Sequence, residues 1–233
     1  MQGLQPFDRR FVAERLPRDI RNLLKTYAGH LFVGGGFIRA VVGNEQVNDI
    51  DLFGTDAAML ENIARGFQAQ RPGSKMHVSK NAITLLTENR MPVQFITRWT
   101  FKNPADLVAS FDFTVCQAAI WRNSLGEWQS AIGDRFYTDL AGRRLHYTSP
   151  KREEEAGGSM LRVLKYVRRG YSIQVGSLGA VIARIAAHPS VAGASESDAA
   201  ADIALLLREV DPLRVIDGLE VIDEHVSAEA EQA

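Results

Sequence analysis

An α+β fold, with a small mixed or antiparallel sheet flanked by helices and a helical C-terminal region behind it, is the architecture this 233-residue chain predicts. Three observations carry it. An apolar, strand-like run at Phe32 breaks into Gly34-Gly35-Gly36, passes through a helix-length segment and returns as a second apolar run ending at Phe53. Two β-type runs, Ala82 to Thr87 and Met91 to Ile96, flank Glu88-Asn89-Arg90 and read as a hairpin. Apolar residues recur at helical spacing over residues 56–69, as Met59, Leu60, Ile63, Ala64 and Phe67, and should cover the sheet. The composition shift divides the chain into a head over residues 1–149 and a helical neck and appendage over 150–233.

The remaining elements follow from local signals. Pro17 suits the first turn of a helix running to about Tyr27, with Ile20, Leu23 and Leu24 on one face and Gly29 as the stop. That helix delivers a strand over Leu31 to Val33. A helix from Phe37 to about Val42 follows the glycine turn, and Gly43-Asn44 end it. Phe113 to Trp121 and Glu127 to Ile132 form a candidate antiparallel pair across the turn at Asn123 to Gly126. In the C-terminal region, Lys151 to Glu155 is a solvated helix start and Leu178 to Ala187 a buried helix. Pro189 to Ser195 is a loop, and Ser197 or Asp198 caps a helix to about Val210. Asp211-Pro212 opens another helix, and the end from Ser227 is frayed.

The stretch from Phe32 to Phe53 carries the chemistry. Alternate residues of a strand share a face, so Asp49 and Asp51, separated by Ile50, direct two carboxylates to one place beside the glycine turn. Glycine takes positive φ and lets backbone N–H groups come close to an anion, so Gly35 and Gly36 are the candidate phosphate cradle. Arg39 follows as a candidate to offset phosphate charge. Two carboxylates suit Mg²⁺ or Mn²⁺, hard ions that keep substrate phosphates and water in their shell. This pattern points to an NTP as substrate.

These residues resemble the polymerase-β-type nucleotidyltransferase superfamily, and most closely the head of tRNA CCA-adding enzymes and bacterial poly(A) polymerases. That family reads V-G-G-x-V-R-D and then D-I-D, and Gly35, Gly36, Arg39, Asp49 and Asp51 fall on it, while Gly34 stands for the valine and Ala40 for the aspartate. Asp112, Phe113, Thr114 and Ala118 match an R-R-D-F-T-x-N-A block whose arginines are here Ser110 and Phe111. Asp139-Leu140 with Arg143 resembles the family's D-L segment, and Met160 to Lys165 its E-D-x-x-R neck helix. The likeness covers about residues 17 to 172. It implies a short helix at the start of the 113–121 stretch, a nucleotide contact from Arg162, catalysis at Asp49 and Asp51, and an RNA 3′ end as acceptor; Asp112 reads either as a cap after Pro104 to Ser110 or as part of the nucleotide pocket, and Lys165 is a candidate nucleotide contact through the basic stripe of its helix. The neck acids that read the incoming base are replaced by Gly158 and Ser159, which argues against CTP-then-ATP templating. On the strand where many relatives place a third metal-binding carboxylate, this chain offers Gln94.

Composition narrows the field. With 27 basic and 28 acidic residues the chain has no global attraction to nucleic acid, so RNA contact requires a local patch. One candidate is the stripe of Arg162, Lys165 and Arg169, flanked by Leu161, Leu164, Val167 and Tyr171. The single cysteine, Cys116, excludes an internal disulfide and reads as a small buried residue. The histidines His30, His77, His146, His188 and His225 lack ligand spacing, and Trp99, Trp121 and Trp128 read as sheet anchors. No signal-peptide core or membrane-length apolar run occurs, which predicts a cytoplasmic protein without a membrane partner.

The sequence therefore predicts transfer of a nucleoside monophosphate from an NTP to a hydroxyl, with release of pyrophosphate. Two alternatives stay open: a nucleotidyltransferase acting on a small molecule or protein, as antibiotic-modifying and toxin-type members do, and a non-catalytic binding or assembly protein that retains the fold.

Overall fold

The computed structural model describes residues 2–149 and 156–208, which form two compact units dividing at Pro150. In the first unit, helices α1 (Pro6–Arg15) and α2 (Arg18–Thr26) precede strand β1 (Leu31–Gly34). Helix α3 (Gly36–Val42), strand β2 (Ile50–Gly54) and helix α4 (Ala57–Ala69) follow. Strands β3 (Lys75–Val78), β4 (Ala82–Leu86) and β5 (Val93–Ile96) lead to helix α5 (Pro104–Ser110) and a 3₁₀ turn at Thr114–Cys116. Strands β6 (Ala118–Arg122) and β7 (Trp128–Ile132) and helix α6 (Phe136–Ala141) complete the unit. Seven strands form one mixed sheet in the order β3-β4-β5-β2-β1-β6-β7, antiparallel except for the parallel pair β2–β5. The expected α+β architecture is present.

Each element answers to its residues. Asp56 caps α4 by accepting from the Met59 N–H at 2.7 Å, and Leu60, Ile63, Ala64 and Phe67 bury the face that the periodicity marked out. Phe67 meets Phe95 of β5 edge-on, with ring centres 6.1 Å apart, which seats α4 on one face of the sheet. Asn103 caps α5 in the same manner, accepting from Asp106 N–H at 3.0 Å. Helix α3 ends with Asn44 in the left-handed region at φ 51°, so the asparagine rather than Gly43 takes the special conformation.

Several expectations change in detail. Pro17 lies just outside α2 as its cap. Helix α1 and strand β3 were not anticipated, because α1 has no clear apolar stripe and β3 is a short strand with only partly buried residues. The stretch from Phe113 to Trp121 contains both structures expected of it, a 3₁₀ turn at Thr114–Cys116 and then β6, which pairs with β7 across the turn at Gly126.

The N-terminal segment is tied to this unit at several points. Gln2 bridges to Ile132, and the Leu4 N–H donates to Ser130 Oγ at 3.0 Å. Tyr137 Oη accepts from the Gln5 N–H at 2.9 Å and donates to Asp8 Oδ2 at 2.6 Å. Burial and that bond to a carboxylate push the Tyr137 phenol well above its ordinary range.

The D-L segment forms an internal anchor. Asp139 is fully buried and accepts from Thr114 Oγ1 at 2.7 Å and from Arg135 Nε and Nη2 at 3.0 Å each, joining α6 to the 3₁₀ turn. Burial opposes its ionisation, but the Arg135 and Thr114 hydrogen bonds, with the nearby charges of Arg135 and His146, prevail and hold the carboxyl below its usual range. A depressed folded-state pKa contributes stability above the unfolded value, about 3.9, and loses it as pH falls toward the folded value. Asp139→Asn should cost roughly 1–3 kcal/mol at pH 7. Urea midpoints of variant and wild type should converge as pH drops below about 4; a gap of constant size would remove the ion pair from the account.

The second unit packs helices α7 (Ala156–Arg168), α8 (Val175–Ala186) and α9 (Glu196–Arg208). Ile185, Val191 and Leu206 form its small core, with Met160, Ala199 and Ile203 against it. An added Cβ at Gly157 would lie 2.7 Å from the Leu206 carbonyl oxygen, so glycine lets α7 and α9 approach closely. The buried face of α7 runs through Leu161, Val163 and Tyr166, while Leu164 and Val167 are exposed, which corrects the apolar flank expected for the basic stripe. Helix α8 buries Ser177, Val181 and Ile185 and exposes Ile182, so it is covered on one face only. The cap of α9 is Ser195, whose Oγ accepts from the Asp198 N–H, and not Ser197 or Asp198. The helix start at Lys151 to Glu155 and everything expected beyond Arg208 lie outside the described residues. Among the described residues, no helix is long and apolar enough to cross a membrane.

Candidate active site

The glycine turn closes β1 and opens α3. Gly35 sits at φ 71° and ψ −125°, a conformation that side chains other than hydrogen disfavour strongly. Its N–H donates to the Ala118 carbonyl at 3.0 Å, so this amide belongs to the sheet, and Gly35 serves the turn by its conformation. A Cβ at Gly36 would meet nothing within 4 Å. The open side of the turn is therefore at Gly36.

The other side is closed by Phe111. A Cβ at Gly34 would stand 3.0 Å from Phe111 Cζ and 3.2 Å from Phe53 Cε2, and one at Gly35 would stand 3.0 Å from Phe111 Cε1. Phe111 also meets Phe53 edge-on at 5.7 Å. Two departures from the family pattern thus explain each other: a phenyl ring in place of an arginine fills the space that the valine's branched side chain would take. The sequence showed both substitutions but gave no sign that they touch.

Asp51 lies on β2, and Asp49 directly precedes the strand's first residue. Ile50 between them is fully buried, whereas both acids are partly exposed, as alternation requires. In the parallel pair β2–β5, Asp51 stands directly opposite Gln94. The position where a third acid was sought is therefore on the same face as Asp51 and holds an amide. Among the described residues no group of three or more His, Cys, Asp or Glu side chains gathers to hold a metal. Two carboxylates beside an amide still make an all-oxygen donor set of the kind Mg²⁺ accepts when substrate phosphates and water fill the remaining positions.

The other candidates have different surroundings. Arg39 is 2% exposed and forms a buried ion pair with Glu45. Its guanidinium joins α3 to the loop leading into β2. Ala40 beside it is likewise buried. Asp112 is 2% exposed, and its backbone carbonyl accepts from the Thr148 N–H at 2.9 Å. Arg162 and Lys165 are half-buried on α7 of the second unit. Gly158 and Ser159, at the lost neck acids, are buried on the same helix, where a carboxylate would be costly. Cys116 is a buried free thiol, as expected.

Sequence reasoning missed two companions of Asp51. Gln94 stands opposite Thr84 on β4, and Thr84 opposite His77 on β3, so a row of polar side chains crosses four strands on one face. The alternation of Lys75 with His77, and of Ala82, Thr84 and Leu86, carried that signal.

Comparison with known families places the chain. The sequence model of the Gabija anti-defense 2 family matches residues 8–143, more than half of the chain. The chain belongs to this family. No curated protein matches it. Among solved structures, this Gabija anti-defense 2 family member is similar to the Thermotoga maritima CCA-adding enzyme complexed with tRNA, at 17% identity and a TM-score of 0.56, covering 91% of this chain and 52% of that one. Complexes of CCA-adding enzyme with CTP and with ATP give 16% and 19% identity and TM-scores of 0.58 and 0.57 over 91% of this chain. This family member spans about half the length of those chains. At such identities the likeness shows the fold, which is nucleotidyltransferase-like.

Proposed function

We propose that this chain is a metal-dependent nucleotidyltransferase that moves a nucleoside monophosphate from an NTP to the 3′ hydroxyl of RNA, and that the activity serves an anti-defence role directed at Gabija. The observation that carries the reading is the placement of Asp49 and Asp51 at the start of β2, partly exposed, beside a glycine turn whose open side is Gly36. The family's name supplies the biological direction, and the fold shared with CCA-adding enzymes supplies the reaction class.

In this reading the acceptor oxygen forms a bond to the α-phosphorus, the bond from that phosphorus to the bridging oxygen breaks, pyrophosphate leaves with the electron pair, and the hydroxyl proton passes to solvent. Asp49 and Asp51 would hold Mg²⁺ or Mn²⁺, which when bound offsets the charge of the triphosphate. Gly36 and the turn around it give the phosphates room to approach the backbone. The Arg39–Glu45 pair holds α3 against the lead into β2 and so fixes the turn relative to the acids. Arg162, from the family likeness of the neck helix, and Lys165, from the basic stripe at helical spacing, are proposed nucleotide contacts. Gln94 favours a second reading, a binding protein that keeps the fold without catalysis, since an amide is a weaker ligand for a hard cation than a carboxylate.

The deciding experiment incubates the protein with each labelled NTP, Mg²⁺ or Mn²⁺ and total RNA. Label in RNA that disappears with Asp49→Ala/Asp51→Ala is the expected result. Label on protein moves the acceptor to another class, and no incorporation together with no metal-dependent thermal stabilisation by any NTP leaves the binding-protein reading.

A further inference from the structure

Helix α2 turns a row of cations to solvent. Its buried residues, Ile20 and Leu24, define the inner face, and at about 100° per residue Arg18, Arg21, Asn22 and Lys25 fall on the outer one. Arg18, Asn22 and Lys25 are exposed and Arg21 is half-buried. The acids of α1 and α2 are engaged elsewhere: Asp19 accepts from Arg71 and Arg90, Glu14 from Arg10, and Asp8 from Tyr137. Among the described residues no ion pair joins a carboxylate to Arg18, Arg21 or Lys25.

A fourth cation comes from the sheet. Arg122 ends β6, the strand against which α2 packs. Its guanidinium lies over the Trp128 ring at 4.0 Å and donates through Nη1 to the Gly126 carbonyl, while Nε is buried without a hydrogen-bond partner. Burial and the neighbouring charge of Arg21 hold Arg122 below the usual guanidinium range. Two like charges therefore face each other with no acid between them, and an oxyanion placed beside them would relieve the repulsion. Trp121 pairs with Phe32, and Phe32 with Phe53, on the side of the sheet that carries Asp51, so Arg122, next along β6, stands on the opposite side. This cationic surface is separate from the candidate active site.

The chemistry of the row selects its occupant. Arg18 and Lys25 are about 10 Å apart along the helix axis, and a nucleic-acid duplex presents one phosphate charge per about 1.7 Å of its own axis, so the row meets several phosphates wherever it lands. Guanidinium groups fit phosphate oxygens in pairs. A protein partner would want apolar or aromatic anchors at the centre of its contact, and the outer face of α2 offers none. A single strand would want aromatic platforms for its bases, and one face of the nearby Trp128 ring is already covered by Arg122.

We infer that Arg18, Arg21 and Lys25 of α2, with Arg122 beside them, bind the phosphodiester backbone of a nucleic-acid duplex, without reading its bases or its sugar. The inference stands apart from nucleotidyl transfer and does not depend on it.

Fluorescence anisotropy with labelled duplexes of about 16 base pairs, one of DNA and one of RNA in the same sequence, tests it. Arg18→Gln/Lys25→Gln is compared with Arg65→Gln/Lys102→Gln, an equal loss of charge at exposed positions elsewhere on the first unit. The α2 variant should bind about tenfold or more weakly, and on DNA the magnitude of its log-affinity against log-salt slope should fall by about 1.8, as expected for two lost phosphate contacts. The control pair should stay within a fewfold of wild type. Arg21→Gln should also weaken binding while its melting temperature stays level or rises, because the repulsion with Arg122 is removed; a lowered melting temperature would make Arg21 a structural residue and overturn its part in the site. Equal weakening by the two double variants, or no duplex binding by wild type at 50 mM salt, overturns the surface. A single strand of the same length binding as tightly, or polyglutamate displacing the duplex equally well at matched charge, overturns the duplex as occupant. DNA and RNA duplexes should bind within a fewfold of each other, and a preference of tenfold or more for either overturns recognition through the backbone alone. Asp49→Ala/Asp51→Ala should bind duplex as wild type does, so the duplex surface and the transferase reading stand or fall on separate results.

Discussion

Asp51→Asn is expected to lower nucleotide transfer by about a thousandfold or more while leaving the fold intact. The side chain keeps its shape and its place opposite Gln94, so packing around β2 changes little. What it loses is the negative charge. With Gln94 already neutral, one carboxylate, Asp49, would remain at this place for a divalent ion. Thermal denaturation and label incorporation should therefore separate, with an unchanged melting temperature in metal-free buffer, lost incorporation, and loss of the stabilisation that NTP with Mg²⁺ gives wild type. Incorporation persisting at near wild-type rate in Asp51→Asn would move the chemistry away from β2.

Gly34→Val, which restores the residue of the family pattern, should destabilise the protein by about 1–3 kcal/mol, because Phe111 Cζ, Phe53 Cε2 and Leu107 Cδ2 lie within 3.0 to 3.4 Å of the new Cβ position. Phe111→Ala alone should cost about 3–5 kcal/mol through the cavity it leaves. The two changes share a space, so their combination should cost less than their sum by at least about 1 kcal/mol in a denaturant double-mutant cycle. Gly35→Ala supplies the contrast. It meets the same ring at 3.0 Å, yet its backbone stands at φ 71° and ψ −125°, so removing Phe111 should leave most of its penalty in place. A strictly additive Gly34–Phe111 cycle would mean that the two departures from the family pattern are unrelated.

Much of this molecule was legible in the sequence where local chemistry and periodicity agree. The apolar stripe from Met59 to Phe67 gave α4, and the turn residues from Asn123 to Gly126 gave the β6–β7 pair. The glycine triplet followed by Asp49 and Asp51 gave the strand, turn, helix and strand around the candidate site. What stayed hidden depended on contacts distant in sequence. Arg39 and Asp112 carry charges that usually stay at the surface, and nothing nearby shows that folding buries both; only Glu45 six residues on identifies the ion partner of Arg39. Pairing between β2 and β5 joins residues more than forty apart, so the facing of Asp51 and Gln94 is a property of topology, not of any local motif. The displaced cap at Ser195 is an error of a few residues, and Phe113 to Trp121 divides between the two structures expected of it, on the scale at which competing turn and strand preferences decide boundaries.

The binding of Gln2 to Ile132 and of Leu4 to Ser130 has a practical consequence for handling the protein. Strand β7 is the last of the sheet, and these few residues shield backbone groups that would otherwise invite a neighbouring molecule to add its own strand. Trimming these residues, or hanging a bulky purification handle directly on them, would uncover that margin and favour self-association through it.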